Sequence, residues 1–457
     1  MRYKSPLLAL FASTVVSVTA DPMTAEAQVT AGAQEPAWLT DRQYREGAGI
    51  LAGNFELHPG AAMDFGYDSN FMRRASDELP VGALQLRVSP SFSASTLGAQ
   101  RRGDSSPSTV NFRVDTGLTY HEFIPIRGGT QQDRDVLRDN RNVDGFLRMN
   151  LDMLPGKTWS GRVFGGVSRS IRPTQQAITG SNFNRVMPGL GADLSYMPGS
   201  GLLDWHLGYE FSGTFFEKSE FSNLSSFRNE VSTRGRWRFL PRTAVLYDGR
   251  FSFLTYSKRE FGKTSSSPVR TRVGMIGLIT PSFGAQAMVG WGASFYKDDP
   301  QDFNSAIGQL ELKWYLQPTM VNDPTRTNPL LPGVAVGFVR DFEDSLIGTY
   351  LERDQGYVRF NYLWGGSVLL NAEVAAGAIV FPNQDNPDRG QPNGWTDFRT
   401  DARVFAEYRI RDWIGVTAQA DWVGYFSKTR LTFPTANGSD NLAFQQFSAF
   451  GGGRVFW

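Results

Sequence analysis

Charged side chains occupy every second position along several stretches of this sequence, with apolar residues between them. The densest stretch spans 234–238 and reads RGRWR, and Arg270 and Arg272 repeat the spacing further along the chain. Alternate residues of a β-strand project from the same face, so these guanidinium groups would form one basic stripe. Such a stripe either attracts anions or pairs with carboxylates and becomes neutral. Neutralisation is favoured, and the expected carboxylates are Glu210, Glu230 and Asp248.

The same alternation continues through most of the chain. In the segment 110–120, Val110, Val114 and Tyr120 alternate with Arg113 and Asp115. A half-buried strand of a soluble sheet would turn its polar face to water and its apolar face to a core. This sequence has too few fully apolar strands to build a separate core. We therefore expect the apolar face to point outward to lipid and the polar face to line an interior.

The interior positions carry both signs of charge, and pairs between neighbouring strands would hold the wall rigid. The candidate pore-lining residues are Arg87, Arg113, Arg148, Arg162, Arg234, Arg236, Arg238, Arg250, Arg270, Arg272, Asp115, Asp152, Asp248, Glu311, Arg359, Asp401, Arg403 and Glu407. Further candidates on this face are Lys313, Asp64, Asp193, Glu210, Glu373 and Asp421. Four aromatic residues share the polar face, and they either stack on sugars or pack beneath a folded-in loop. These are Phe146, Phe164, Tyr357 and Phe405.

The alternating segments predict an all-β fold, an antiparallel up-and-down transmembrane β-barrel of about 18 strands, or 16 at the fewest. Most segments are slightly longer than the ~9–11 residues that cross a bilayer as a tilted strand. The predicted strands are 57–67, 82–93, 109–121, 143–154, 158–169, 184–196, 203–216, 228–239, 243–257, 267–279, 283–297, 303–316, 332–342, 349–364, 367–380, 397–409, 413–427 and 441–457.

The connections between these segments alternate between short and long. An even strand number puts both termini in the periplasm, with short periplasmic turns and long extracellular loops. The predicted turns include 155–157, 198–201, 240–242 and 281–282, and the predicted long loops are 124–142, 170–183, 217–227, 381–396 and 428–440. Two expected periplasmic connections, 94–108 and 317–331, are unusually long. Plain long turns are the favoured interpretation, and the alternatives are that they fold against the barrel mouth or meet a periplasmic partner.

The composition supports one membrane-embedded domain rather than several soluble domains. The chain has 457 residues, 48 glycines, 13% aromatic residues and no cysteine, yet its mean hydropathy is −0.31. A barrel whose strands meet lipid with every second residue has this composition. The net charge of +1 shows no excess of basic residues of the kind that binds nucleic acid. The lack of cysteine excludes disulfides.

The first residues have the pattern of a secretory signal, with Arg2 and Lys4 before a short apolar stretch. The predicted organisation is a signal peptide over 1–27, a periplasmic lead-in over 28–53 with one helical turn near 39–46, and a barrel over 54–457. Cleavage is expected after Ala27, with Ala20 as the other small-residue site. The predicted location is the outer membrane of a Gram-negative cell.

No enzyme, cofactor or metal site is predicted. The chain has three histidines, His58, His121 and His206. Of these, His121 is the one placed by the pattern at the outer rim, where it could act as an acid or base. No serine motif or group of metal ligands accompanies it.

The last segment reads NLAFQQFSAFGGGRVFW and ends on an aromatic residue. Val455 and Trp457 lie on its outward face, where Trp457 would join the periplasmic aromatic girdle. These two residues are the predicted signal for the machinery that assembles outer-membrane barrels.

Residues 45–60 read REGAGILAGNFELHPG, and Phe65 to Phe71 read FGYDSNF. The pair resembles the start of the β-barrel porins found with exopolysaccharide and capsule export systems of Gram-negative bacteria. The resemblance implies an outer-membrane channel that passes a polysaccharide and docks to a periplasmic export protein. On physical grounds, Asp68 and Asn70 are turn formers that would cap the first extracellular loop.

Three functions remain open from the sequence. A wide barrel leaves an aqueous lumen, so polysaccharide export is the first. A general or nutrient diffusion porin is the second, and a structural or adhesive barrel with a closed lumen is the third.

Overall fold

The computed structural model describes twelve stretches of the chain. They are 49–75 together with residue 77, 79–97, 109–139, 142–171, 184–199, 201–257, 264–297, 302–317, 331–345, 349–382, 394–432 and 439–457. The predicted signal peptide and the predicted helical turn at 39–46 lie outside these residues, as do most of 94–108, 170–183, 317–331 and 381–396.

The described residues form a closed antiparallel β-barrel of 18 strands, which confirms the predicted fold class. The strands are β1 (Phe55–Asp68), β2 (Gly82–Thr96), β3 (Val110–Arg127), β4 (Asn142–Met153), β5 (Trp159–Ser170), β6 (Arg185–Tyr196), β7 (Leu203–Phe216), β8 (Ser226–Leu240), β9 (Thr243–Tyr256), β10 (Ser266–Thr280), β11 (Phe283–Tyr296), β12 (Phe303–Tyr315), β13 (Gly333–Asp344), β14 (Tyr350–Trp364), β15 (Val368–Phe381), β16 (Trp395–Arg411), β17 (Ile414–Phe426) and β18 (Phe444–Phe456).

Each strand pairs with its neighbours in the sequence, and β18 closes the ring on β1. The closing register runs from Gly60 opposite Phe456 to Asp68 opposite Ser448. A short strand, Ile50–Ala52, precedes β1 and pairs with Phe55–Leu57. The lead-in therefore contains a strand that its weak alternation did not predict.

The alternation of the sequence becomes the two faces of the wall. Large apolar side chains are exposed on the outside, as Met63, Val289 and Leu310 illustrate at 57%, 64% and 50% exposed. Charged residues of the strands, such as Asp64 on β1 and Arg87 on β2, are buried on the inside. The outer surface is thus the apolar one, as expected for a barrel in lipid.

The two rims differ in how the strands connect. The rim that carries both Phe55 and Phe456 is called here the C-terminal rim, and strands connect there through pairs such as 241–242 and 281–282. The opposite far rim carries the helix α1 (Gln131–Asp139), which the sequence pattern did not predict. It also carries a small hairpin of Arg430–Thr432 with Ser439–Asn441. Among the described residues, no helix has the length and apolarity needed to span a bilayer.

Candidate functional site: the inner wall

Arginines and carboxylates of the inner wall form ion pairs on the same strand or between neighbouring strands. Arg162 on β5 lies 2.7 Å from Asp152 on β4, and these residues are directly opposite in the register. Asp248 accepts from Arg272 at 3.0 Å and lies 3.4 Å from Arg250. Since the partners sit on the same face two residues or one strand apart, the β-geometry itself brings them together.

Asp248 pairs with an arginine of the predicted stripe, Arg272, as expected, and the run on β8 has one partner, Asp204, that the sequence analysis did not suggest. Arg236 lies 3.7 Å from Asp204 on β7, whereas Asp248 is held by Arg250 and Arg272. Arg234 is directly opposite Asp248 in the register of β8 with β9. Glu230 lies directly opposite Glu210. Partner choice follows the register, which sequence spacing alone does not determine.

The structure places all of the candidate pore-lining residues on inward positions of their strands. Arg113 pairs with Asp115, Arg359 with Glu373 and Glu311, and Arg403 with Asp421. Arg148 lies opposite Asp115 in the register, and Asp401 pairs with Arg399 of the same polar face, which the list of candidates does not include. Arg87, Arg270 and Glu407 pair with Asp64, Asp341 and Arg454, and Arg238 lies at the C-terminal rim. Their role in conduction remains a prediction.

The four inward aromatic residues lie in separate places and form no track. Phe146 covers Gly117, and Phe164 covers Gly191, on the strands beside their own. The hydroxyl of Tyr357 donates to Glu311 at 2.6 Å, and Phe405 is buried against Ala62 and Leu369. The structure thus favours packing within the wall over a continuous sugar-stacking surface.

All three histidines are bound within the wall. His121 is buried rather than exposed at the rim, with Gln85 at 2.6 Å on Nδ1 and Asp144 at 3.0 Å on Nε2. His206 lies 2.7 Å from the Ser195 hydroxyl and 2.6 Å from Asp204. Ser195 and His206 lie opposite each other in paired strands, and each also faces a residue of its other neighbouring strand. An acyl-transfer site would need free backbone donors for its oxyanion, and residues in the middle of a sheet have their backbone N–H groups in ladder hydrogen bonds. A structural role for these side chains is therefore favoured.

The residues of the FGYDSNF segment join the first and last strands. The Asp68 carboxylate accepts from the Asn70 backbone N–H at 2.9 Å and from Gln446 Nε2 at 2.8 Å. The Asn70 side chain donates to the carbonyls of Arg74 and Gln445 at 2.9 and 3.1 Å. These contacts form the loop cap expected of Asp68 and Asn70, and they also tie that loop to β18.

Within the same segment, Gly66 leaves space for the aromatic ring of Phe450 on the neighbouring strand. A Cβ on Gly66 would lie 2.1 Å from the Ala449 carbonyl and 2.4 Å from the Phe450 ring. The Phe450 ring instead lies under the guanidinium of Arg87, at 3.6 Å from its centroid. A cation over an aromatic face is attractive, so the glycine makes room for a stabilising contact at the ring closure.

The first loop packs against α1 at the far rim. Phe71 and Met72 from the loop lie in one buried cluster with Phe123 of β3 and Leu137 of α1. Arg74 lies 2.6 Å from Asp133. Asp133 occupies the third position of the helix, after Thr130, and accepts from the Thr130 N–H at 2.7 Å as in a capping box.

Acid is expected to loosen this contact. Burial acts to raise the pKa of Asp133, but hydrogen bonds from Thr130 and Arg74 outweigh it and lower that pKa. The pKa of Asp133 is therefore lower in the folded chain than in the unfolded chain, where it is about 3.9. The stability that the ionised Asp133 carboxylate contributes is fully present above about pH 3.9 and is lost as the pH falls through the folded pKa. Amide hydrogen exchange of α1, corrected for intrinsic rates, should be faster at pH 3 than at pH 6. Asp133→Asn should remove that difference, and equal protection at both pH values in the unmodified chain would contradict it.

Neither a protein-family model nor a curated protein sequence matches this chain. Among solved structures, the chain is similar in fold to OccAB2 and OccAB4 of Acinetobacter baumannii. OccAB2 is 11% identical, with 90% of this chain and 99% of that chain covered and a TM-score of 0.44. OccAB4 is 9% identical, with 88% and 98% covered and a TM-score of 0.44.

The ferric enterobactin receptor PfeA of Pseudomonas aeruginosa is also similar. It is 8% identical, with 89% of this chain and 82% of that chain covered and a TM-score of 0.44. At these identities and scores the likeness is one of general β-barrel architecture. It assigns no family, substrate or partner to this chain.

Proposed function

We propose that this chain is an outer-membrane channel and that it carries a polysaccharide out of the cell. A ring of 18 strands is wide enough to leave an aqueous lumen, whereas about eight strands fill with side chains. The apolar outer face and the polar inner face support a location in the outer membrane.

The paired charges of the inner wall carry this proposal. Arg162 with Asp152 and Arg403 with Asp421 are one-to-one pairs, and Arg250 and Arg272 share Asp248. Carboxylates therefore offset most of the arginine charge at these positions. Such a wall exerts a weak net field on ions, but its oxygens and N–H groups can hydrogen-bond to hydroxyls. A neutral, hydroxylated polymer suits it better than a cargo selected by charge.

Planar-bilayer recordings of the purified barrel test the channel. We expect open conductance with little preference between K⁺ and Cl⁻, and block by an added neutral polysaccharide. Conductance with fast entry of small solutes and no block would instead favour a general porin. Neither conductance nor block would favour a closed structural or adhesive barrel and would overturn both channel functions.

A single substitution tests whether pairing sets the selectivity. Asp248→Asn leaves Arg250 and Arg272 without their carboxylate, so the ratio of anion to cation permeability should rise by about twofold. Glu122→Gln is the matched control, since Glu122 lies on the outer face beside Tyr120 and should leave the ratio unchanged. An unchanged ratio in Asp248→Asn would show that the ion pairs do not set the field of the lumen.

Export also predicts a phenotype and a partner. Loss of the gene should abolish a surface polysaccharide without slowing the uptake of small solutes. The resemblance of residues 45–71 supports a periplasmic export protein as partner at the C-terminal rim. Normal surface polymer in the deletion strain would contradict the export proposal.

A further inference from the structure

The barrel wall is split between β12 and β13 toward the far rim. The register of these strands runs from Tyr315 opposite Gly333 to Gly308 opposite Arg340. Beyond that point β12 continues to Phe303 and β13 continues to Asp344. Over these described residues the two strands have no pairing with each other, although each still pairs with its other neighbour.

Arg340 occupies the base of this split. Its Nε donates to the Ala306 carbonyl at 3.2 Å, on the edge that β12 leaves without a strand partner. Glu352 and Asp354 of β14 hold the guanidinium at 2.6 and 3.1 Å. A side chain thus takes the place of one ladder hydrogen bond, and the strands separate above it.

Above Arg340 the β13–β14 hairpin leans into the lumen. The last residue of β13, Asp344, forms an ion pair with Arg228 on β8. Five strand spacings separate β8 from β13, which is about 24 Å of wall and roughly 20 Å across the ring. Two side chains cannot span that distance, so the strand end itself has moved inward. Asp341 reaches Arg270 on β10 at 3.1 Å in the same direction.

An aromatic contact holds the leaning strand from below. The Phe342 ring stacks on Phe303 at 4.2 Å and lies 4.0 Å from the guanidinium of Arg270. Gly292 on β11 leaves the room, because a Cβ there would lie 2.7 Å from the Phe342 ring. The hairpin therefore rests on side-chain contacts where a wall strand would have a backbone ladder.

We propose that the ends of β13 and β14, residues 341–345 and 349–351, form a gate over this sector of the far mouth. The closed state is held by the ion pairs of Arg228 with Asp344 and Arg270 with Asp341. It is also held by Phe342 stacked on Phe303 and by Leu351 buried against Ile379 and Phe381. The open state extends the existing register, which would place Glu343 opposite Ser305 and give β12 its missing partner. The gate rests on the proposed channel function, since it controls passage only through an open lumen.

The chain contains no cysteine, so a disulfide can trap the open state. Ser305→Cys with Glu343→Cys places one thiol on each strand of the extended register and keeps the ion pairs of Asp344 and Asp341. It removes the ion pair of Glu343 with Arg353 and the Ser305 hydroxyl that accepts from Arg340, so all rates are compared within this cysteine background. We expect slow disulfide formation in this variant and about tenfold faster formation when Asp344→Asn is added, because the open state then becomes more populated. Formation of the disulfide should raise the conductance of the barrel, and reductant should reverse the rise.

Two controls define the result. Ala420→Cys with Ala449→Cys joins directly opposed residues of β17 and β18 and should cross-link quickly whether or not Asp344 is changed. Asp421→Asn makes the same chemical change within the wall, away from the hairpin, and should leave the Ser305–Glu343 pair slow. If Asp344→Asn fails to assemble, Arg228→Gln releases the same ion pair without altering β13.

The outcomes separate the gate from the channel. An unchanged cross-linking rate after release of the ion pair, with fast cross-linking in the control pair, would overturn the gate. Faster cross-linking in a barrel that never conducts would support the moving hairpin and reject the proposed channel. Faster cross-linking with no change in an existing conductance would reject the gate, because the hairpin would then move without controlling passage.

Discussion

Removal of the last three residues, 455–457, is expected to prevent the barrel from assembling, with at least about a tenfold fall in folded barrel in the outer membrane. The Trp457 N–H donates to the Pro59 carbonyl at 3.0 Å, and the Trp457 carbonyl oxygen lies 2.9 Å from His58 Nδ1. The Phe456 N–H donates to the Trp413 carbonyl at 3.0 Å. Each such bond contributes about 1 kcal/mol, and the truncated strand would also leave open edges on β1 and β17.

The same end of the chain is the proposed signal for the assembly machinery. Val455 and Trp457 are 41% and 53% exposed on the outer face, so they remain accessible on a strand that has yet to pair. The Trp457 ring lies 6.0 Å from that of Trp413, between ring centroids. Both rings belong to the outer surface at the C-terminal rim, where a girdle of aromatic residues is expected.

Heat-modifiable migration of the outer-membrane fraction on gels measures the folded barrel. Trp413→Ala is the matched control, because it removes the ring beside Trp457 and leaves the terminal strand whole. We expect Trp413→Ala to assemble at close to the normal level and Trp457→Ala to fall between it and the truncation. Normal outer-membrane levels of the truncated chain would overturn the assignment of Val455 and Trp457 as an assembly signal.

The strands of the barrel wall could be predicted from the sequence because the pattern that defines them lies within each short segment. Apolar and charged residues alternate with a period of two, and that period fixes both the strands and the faces. Strand ends were less predictable. β3 was expected to end at 121 but continues to Arg127, and β16 continues to Arg411 rather than 409. Both strands continue beyond their predicted ends because each stays paired with a neighbouring strand there. That pairing depends on the tertiary structure and not on the local sequence pattern.

The far rim was not predictable for a related reason. The cluster of Phe71, Phe123 and Leu137 joins a loop, a strand end and a helix, and no period links those positions in the sequence. The ion pair of Arg228 with Asp344 joins two residues that are 116 positions apart in the sequence. Such contacts depend on where the strands and loops of the far rim lie in the folded barrel, so the local sequence pattern does not indicate which residues meet.

A buried ion pair beside the ring closure is expected to carry the second large effect. Glu407 on β16 pairs with Arg454 on β18, and Arg409 lies 3.7 Å from the same carboxylate. The side chains of Glu407 and Arg454 are 1% and 5% exposed. Glu407→Gln would leave Arg454 charged and buried, and removal of one partner of a buried pair costs about 3–5 kcal/mol. The urea midpoint of unfolding, followed by loss of the heat-resistant folded band, should fall accordingly.

The inner wall supplies a matched control on the same strand. Arg403 of β16 pairs with Asp421 at 2.6 Å, but its side chain is 40% exposed to the lumen. Solvent screens an exposed pair, so Asp421→Asn should cost no more than about 1 kcal/mol. Equal losses in Glu407→Gln and Asp421→Asn would show that burial does not decide the strength of these pairs.

A double substitution separates the penalty of a lone charge from the strength of the pair. Replacing Glu407 with Leu and Arg454 with Met removes both charges and keeps much of the volume, so most of the lost stability should return. If the double variant is as unstable as Glu407→Gln, the pair itself, together with Arg409, stabilises the closed ring. If it recovers, the pair serves to fix the register of β16, β17 and β18. Arg454 lies opposite Gly415, whose open side faces the Glu407 carboxylate, and a shifted register would move Arg454 away from that carboxylate.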